Sequence, residues 1–169
     1  MRILTVFALA LIVCFVSLPV LAADLLSTHK DWSVYTFNED GHKVCFMAGQ
    51  PKSKKGDYTK RGDVFALITH RPSDNSRDVV SFIAGYTFKK GSDVTVSIGG
   101  KKFTLFTDGD TAWTRDAADD SVLATAIRKG SSMIVRGTSK FGTLTTDTYS
   151  LSGSTSAYEA VSKACGLKP

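Results

Sequence analysis

The chain has 169 residues, with 21 Lys and Arg against 16 Asp and Glu and 43% hydrophobic residues. That length suits one domain with a proper core. A net charge of +5 with no aromatic-studded basic motif beside it argues against nucleic acid as a partner, but it biases the surface toward acidic groups such as phospholipid or lipopolysaccharide headgroups.

Arg2 is the only charge before an apolar run from Ile3 to Leu18, which Pro19 breaks. Val20-Leu21-Ala22 then offers a small-residue exit. A basic start, an apolar middle and a small exit predict a secretory signal peptide over residues 1–22, cut after Ala22 or, as second choice, after Ala23. The run approaches spanning length, yet the cleavage-like exit and the soluble-looking remainder favour removal over a membrane anchor. Leu11-Ile12-Val13-Cys14 fails as a lipoprotein box, because Val13 is too bulky and Cys14 lies too early. No second long apolar stretch follows, so no transmembrane segment is expected after signal removal. The mature domain is then residues 23–169, with 20 basic against 16 acidic residues. Its expected place is the periplasm or outer cell envelope, with secretion as a further outcome.

Short runs rich in Val, Ile, Phe and Thr alternate with turn residues through the mature region. The first strands are predicted over 32–37 and 43–48. Lys52, Lys54, Lys55, Lys60 and Arg61 then crowd one Gly-containing loop, the best candidate here for binding an anionic partner. Arg61-Gly62-Asp63 spells the tripeptide that integrins read, but it sits at a strand start and is read as a turn. The run at 64–68 is apolar on both faces and predicts a central strand over 64–70, covered on both sides. Another strand is predicted over 79–86.

The next pair can be checked internally. Gly99-Gly100 is a two-residue type I′ hairpin signal between strands at 93–98 and 101–107. With that loop Val96 faces Phe103 and Val94 faces Leu105, so the apolar residues share one face and Thr95 meets Thr104 on the other. A slip of one residue would separate the apolar rows.

Asp108, Asp110, Asp116, Asp119 and Asp120 lack the ligand order of a calcium loop and are read as a turn plus an acidic helix start. That helix is predicted over 119–129, with Arg128 and Lys129 at its end and Gly130 past it. Strands follow over 133–137 and 143–151, the latter Thr-rich and half exposed. The segment 137–142 fails as a nucleophile elbow, because that motif needs glycine where Phe141 stands. A second helix is predicted over 157–165, with a capping box from Ser156 to Glu159. The spacing of the strands is that of an all-β sandwich or barrel.

Cys14 leaves with the signal peptide, so Cys45 and Cys165 remain. In an oxidising compartment an isolated pair is expected to form a disulfide. His29, His42 and His70 stand at no metal-ligand spacing. No metal site, cofactor or catalytic residue is expected, and the chain is read as a non-enzyme.

The second half carries a longer pattern: Ala112-Trp113-Thr114-Arg115-Asp116, Ala126-Ile127-Arg128-Lys129-Gly130, Gly137-Thr138-Ser139, Gly142-Thr143, and Asp147-Thr148-Tyr149-Ser150-Leu151-Ser152-Gly153, completed by Ala157 and Cys165. With Trp32 and Val44-Cys45 upstream, it resembles the invasion-associated locus B family of alphaproteobacterial exported proteins. The resemblance implies an immunoglobulin-like β-sandwich, here with a short internal helix and a C-terminal helix. It also implies a periplasmic or envelope location and a link to host association or invasion. It offers no catalytic residues. Family members often carry a second cysteine pair near the stretch occupied here by Asp108 to Asp116, which this chain lacks. The expected function is a binding or envelope-support module whose partner is an envelope or host component. The alternatives are a surface adhesin contacting host cells directly and a periplasmic hydrolase.

Overall fold

Alternating apolar and polar side chains build most of the molecule, as strands covered on one face require. The structure is a computed structural model and describes residues 23–169. The leader expected over residues 1–22 lies outside the described residues. The strands are β1 (Asp24–His29), β2 (Trp32–Glu39), β3 (His42–Gly49), β4 (Ser53–Lys55), β5 (Phe65–Arg71), β6 (Ser76–Ile83), β7 (Val94–Ile98), β8 (Lys101–Asp108), β9 (Thr111–Trp113), β10 (Ser132–Thr138) and β11 (Leu144–Ser150). The helices are α1 (Ala117–Lys129) and α2 (Ser154–Ala164).

All strand pairs are antiparallel, in the order β1-β2-β3-β5-β6-β9-β8-β7-β10-β11-β4. Strand β8 divides this ladder. Its residues 101–105 pair with β7 and its residues 106–108 with β9. The first half-sheet therefore runs from β1 to the end of β8, and the second from the start of β8 to β4. Their inner faces meet where the Phe82 ring packs edge-on against Tyr149, 6.4 Å between centroids. Helix α1 packs on β6, and α2 packs on β1, β2 and β3. Both helices thus lie on the inner side of the first half-sheet.

The core is continuous. Trp32, Val34, Met47, Ile68, Val80 and Phe82 enter it from the first half-sheet, and Val94, Val96, Leu105, Met133 and Tyr149 from the second. Cys45 and Cys165 form the expected disulfide, 120 residues apart in sequence, and fasten the end of α2 to β3.

The Gly99-Gly100 hairpin has the predicted register, with Val96 opposite Phe103 and Val94 opposite Leu105. Both glycines have positive φ, 54° and 81°, as a type I′ turn requires. All eight predicted strands are present, with shifted ends. The one expected over 79–86 begins at Ser76 and stops at Ile83, because Ala84 N–H turns to the Asp110 carbonyl at 2.9 Å.

Strands β1, β4 and β9 were not predicted. Two of them have only three residues, and β1 and β4 are the edges of the ladder, where lysines and weak alternation are tolerated. Helix α1 starts earlier than expected, because the Asp116 carboxylate caps it by accepting the Asp119 N–H at 2.9 Å. Helix α2 also starts early, at Ser154. Gly153, with φ 91°, precedes it, and the Ser154 hydroxyl donates to the Ile127 carbonyl at 2.9 Å. Ser156 and Glu159 therefore fall inside the helix and form no capping box.

Strand β5 is central, as expected, but among the described residues the cover expected on both of its faces is present on one only. Ala66, Ile68 and His70 are buried, while Phe65, Leu67 and Thr69 stay half-buried on a face that carries no second layer among the described residues.

Candidate functional site

The basic segment is not a uniform loop. Ser53–Lys55 is the edge strand β4, paired with β11. Successive side chains of a strand point to opposite faces, so the exposed Lys54 and Lys55 diverge. Lys52 is held by Asp31 at 2.5 Å. Lys60 is exposed.

Arg61 is buried, its side chain only 3% exposed. Its two Nη atoms donate to the two carboxylate oxygens of Asp147 at 2.7 and 2.6 Å, and its Nε donates to the Ala84 carbonyl at 2.7 Å. The guanidinium lies between the rings of Tyr58 and Tyr86, 5.5 and 5.0 Å from their centroids. Burial disfavours the Arg61 charge, but the hydrogen-bonded Asp147 carboxylate outweighs it and raises the pKa above the ordinary value. Arg61 is therefore a tie between the chain before β5 and the inner face of β11, not part of a contact surface for an anion. The same burial withdraws Arg61 of the Arg61-Gly62-Asp63 tripeptide from presentation while Gly62 and Asp63 stay exposed, and Gly62 is fixed by its N–H bond to the Gly85 carbonyl at 2.9 Å.

The register brings other cations to Lys55. On the outer face of the second half-sheet, Lys55 pairs with Thr146, Thr146 with Arg136, Arg136 with Thr95, and Thr95 with Thr104. In the adjoining row Ser53, Thr148, Ile134, Ser97 and Lys102 follow one another. Lys55, Arg136 and Lys102 are exposed, and none makes an ion pair among the described residues. With strands about 4.8 Å apart, Lys55 and Arg136 stand about 10 Å apart at the backbone, with threonine between them. The result is a flat hydroxyl-lined face carrying three separated cations, suited to an extended anionic surface or polymer. Of these three cations, sequence proximity pointed only to Lys55, within the group Lys52, Lys54, Lys55, Lys60 and Arg61. Arg136 and Lys102 are legible only through strand alternation, since they lie on β10 and β8.

A second polar cluster is buried beneath the helices. His70 is 0% exposed. Its Nδ1 accepts the Asp78 N–H at 3.1 Å, so the neutral ring carries its proton on Nε2, which has no partner. Tyr158 donates to Asp78 Oδ1 at 2.5 Å and stands edge-on to the His70 ring. Burial lowers the His70 pKa against the opposing pull of Asp78. Asp120 accepts the Val80 N–H at 2.7 Å and the Thr114 hydroxyl at 2.6 Å, and burial raises its pKa. These groups tie α1 and α2 to β6. Among the described residues, no three His, Cys, Asp or Glu side chains converge as metal ligands, and no helix is long and apolar enough to cross a membrane.

Residues 32–162 match the family described as Invasion associated locus B (IalB) protein. The chain is also similar to the crystal structure of invasion associated protein b from Bartonella henselae, with a TM-score of 0.56 and 16% sequence identity. That similarity covers 83% of this chain and 97% of the other, and it speaks to the fold. Comparison with curated protein sequences gives no match. The chain belongs to the invasion associated locus B family.

Proposed function

We propose that this invasion associated locus B protein is a non-catalytic binding module of the cell envelope. Its N-terminal leader exports it to the periplasm or outer envelope. There it holds an anionic envelope or host component against the outer face of its second half-sheet. The observation that carries this reading is the convergence of Lys55, Arg136 and Lys102, distant in sequence, on one exposed face lined with Ser and Thr hydroxyls. Hydroxyls hydrogen-bond phosphate and sugar oxygens, and cations spaced about 10 Å apart attract an anionic surface with little mutual repulsion.

The test is binding to vesicles containing an anionic phospholipid, and separately to lipopolysaccharide, across a salt series. Binding is expected at low salt and should weaken as salt rises, because the Debye length is about 8 Å at physiological ionic strength. Replacing Lys55, Lys102 and Arg136 together by Glu should abolish it. The pair Lys54→Glu and Lys60→Glu lies outside the proposed rows and should bind nearly as the parent does. No binding to either anionic target at low salt, or equal binding by the triple variant, would refute the assignment.

A further inference from the structure

The outer face of the first half-sheet has the opposite chemistry. One register row runs Ser33, Ala48, Leu67, Ser81, Trp113, Phe106 across six strands. The next runs Leu25, Tyr35, Phe46, Thr69, Val79. Neither row contains a charge. Tyr35 stacks on Phe46 at 5.0 Å, and Leu25 and Phe106, at the two ends, are 58% and 38% exposed. Both helices and the second half-sheet lie on the other side, so nothing among the described residues covers this one. Six strands about 4.8 Å apart and two rows of side chains about 6.8 Å apart give a footprint on the order of 400 Å². A typical monomer's largest apolar patch reaches about 300–600 Å², and one side of a standard interface buries about 800 Å².

We propose that this face is the interface between two copies of the chain, packed face to face about a two-fold axis running along β5. Three observations select a second copy as the occupant. Strand β5 has the pattern of a strand buried on both faces, and the described residues supply only one cover. The uncharged rows offer nothing for an oppositely charged partner to complement. The charges at the margin also fit this symmetry. Glu39 and Arg71, at one end, already pair with each other at 3.1 Å. At the other end the turn joining β1 and β2 carries Lys30 and Asp31, with Lys52 on Asp31, and the turn joining β8 and β9 carries Asp108 and Asp110. These two turns lie at the same end of the strands and at opposite edges of the half-sheet. A two-fold axis along the central strand therefore sets the net-positive turn of one copy over the acidic turn of the other, twice. Leu67, on the central strand, lies near the axis and faces its own counterpart. The pairing leaves both cationic faces outward, so it is independent of what they bind.

The test is the mass of the purified protein in solution by sedimentation equilibrium. A dimer is expected in the micromolar range. Leu67→Lys, which sets like charges together near the axis, should give a monomer, while Thr146→Lys on the opposite face should stay dimeric. Lys30→Glu should weaken the dimer at least several-fold, and adding Asp108→Lys with Asp110→Lys to it should restore much of the loss. Should Leu67→Lys fold poorly, Leu67→Cys treated with a short bis-maleimide should yield a covalent dimer of the folded protein. A monomer at hundreds of micromolar would overturn the proposal. So would a dimer unaffected by Leu67→Lys, or a failure of Leu67→Cys to cross-link.

Discussion

The outer faces of the two half-sheets are built on the same backbone pattern and differ in every other respect. On the first, aromatic and aliphatic side chains such as Tyr35, Phe46 and Leu67 stand in rows without a charge. On the second, Thr95, Thr146 and Thr148 separate Lys55, Arg136 and Lys102. Water solvates the second without cost, whereas the first gains free energy by losing contact with it, about 25 cal/mol per Å² of apolar area. The contrast teaches that folding does not satisfy the first face. The inner side is common to both halves and holds them in this relation, so the comparison depends on the ties located there.

The largest effect is expected from the disulfide. Replacing Cys45 and Cys165 by Ala frees a loop spanning 120 residues, and chain-entropy arguments put the loss near 4–5 kcal/mol. Denaturant titration of the variant against the oxidised parent measures it, and thiol counting on the unfolded parent should find no free thiol from this pair. A loss under about 1 kcal/mol would mean that packing alone holds α2 to β3.

Next comes the tie between the halves. Asp147→Ala leaves the Arg61 guanidinium buried without its carboxylate, which should cost about 3–5 kcal/mol. Arg61→Met combined with Asp147→Leu should recover most of that stability, because a well-packed apolar pair avoids the desolvation that the ion pair bears. If Asp147→Ala alone proves neutral, the pair is not buried in solution.

A smaller, pH-dependent effect belongs to His70. Its folded pKa lies below the ordinary value of 6.5 because burial disfavours the imidazolium. The unfolded chain therefore binds a proton that the folded chain refuses. The stability tied to neutral His70 is full above pH 6.5 and is lost as pH falls toward the folded pKa. Asp120 has a raised pKa and acts with the opposite sign at lower pH. Subtracting the stability curve of His70→Gln from that of the parent isolates the histidine. A difference that does not change below pH 6.5 would place His70 in contact with water.

The smallest effects on stability are expected on the hydroxyl-lined face, where Lys102→Glu or Arg136→Glu should each change it by no more than about 0.5 kcal/mol. A larger loss in thermal unfolding would mean that these cations are structural, and the contrast between the two faces would then be one of packing rather than of binding chemistry.

Local patterns carried over into the structure wherever one face of a strand is covered. The Gly99-Gly100 turn and the alternation on either side of it fixed the register of β7 and β8. Compartment logic and the count of two cysteines anticipated the bridge. The sequence also named Lys55, but it grouped that residue with Arg61, and the two have opposite fates. Nothing local distinguishes an arginine destined for Asp147, 86 residues away, from a solvated one. The three-residue strands β4 and β9 were illegible because their pairing partners, not their own patterns, hold them in place.

By itself the sequence determined the strand-rich class, the hairpin register, the cysteine pair and the two helices, since each follows from turn chemistry, side-chain periodicity or the presence of only two candidates. Only the tertiary structure decided which face of each half-sheet is covered, which basic residues remain in water and which cations share a surface. Those outcomes depend on strand order. Neighbours in an antiparallel ladder can be brought from anywhere in the chain, and no local pattern records which strand a given edge will meet.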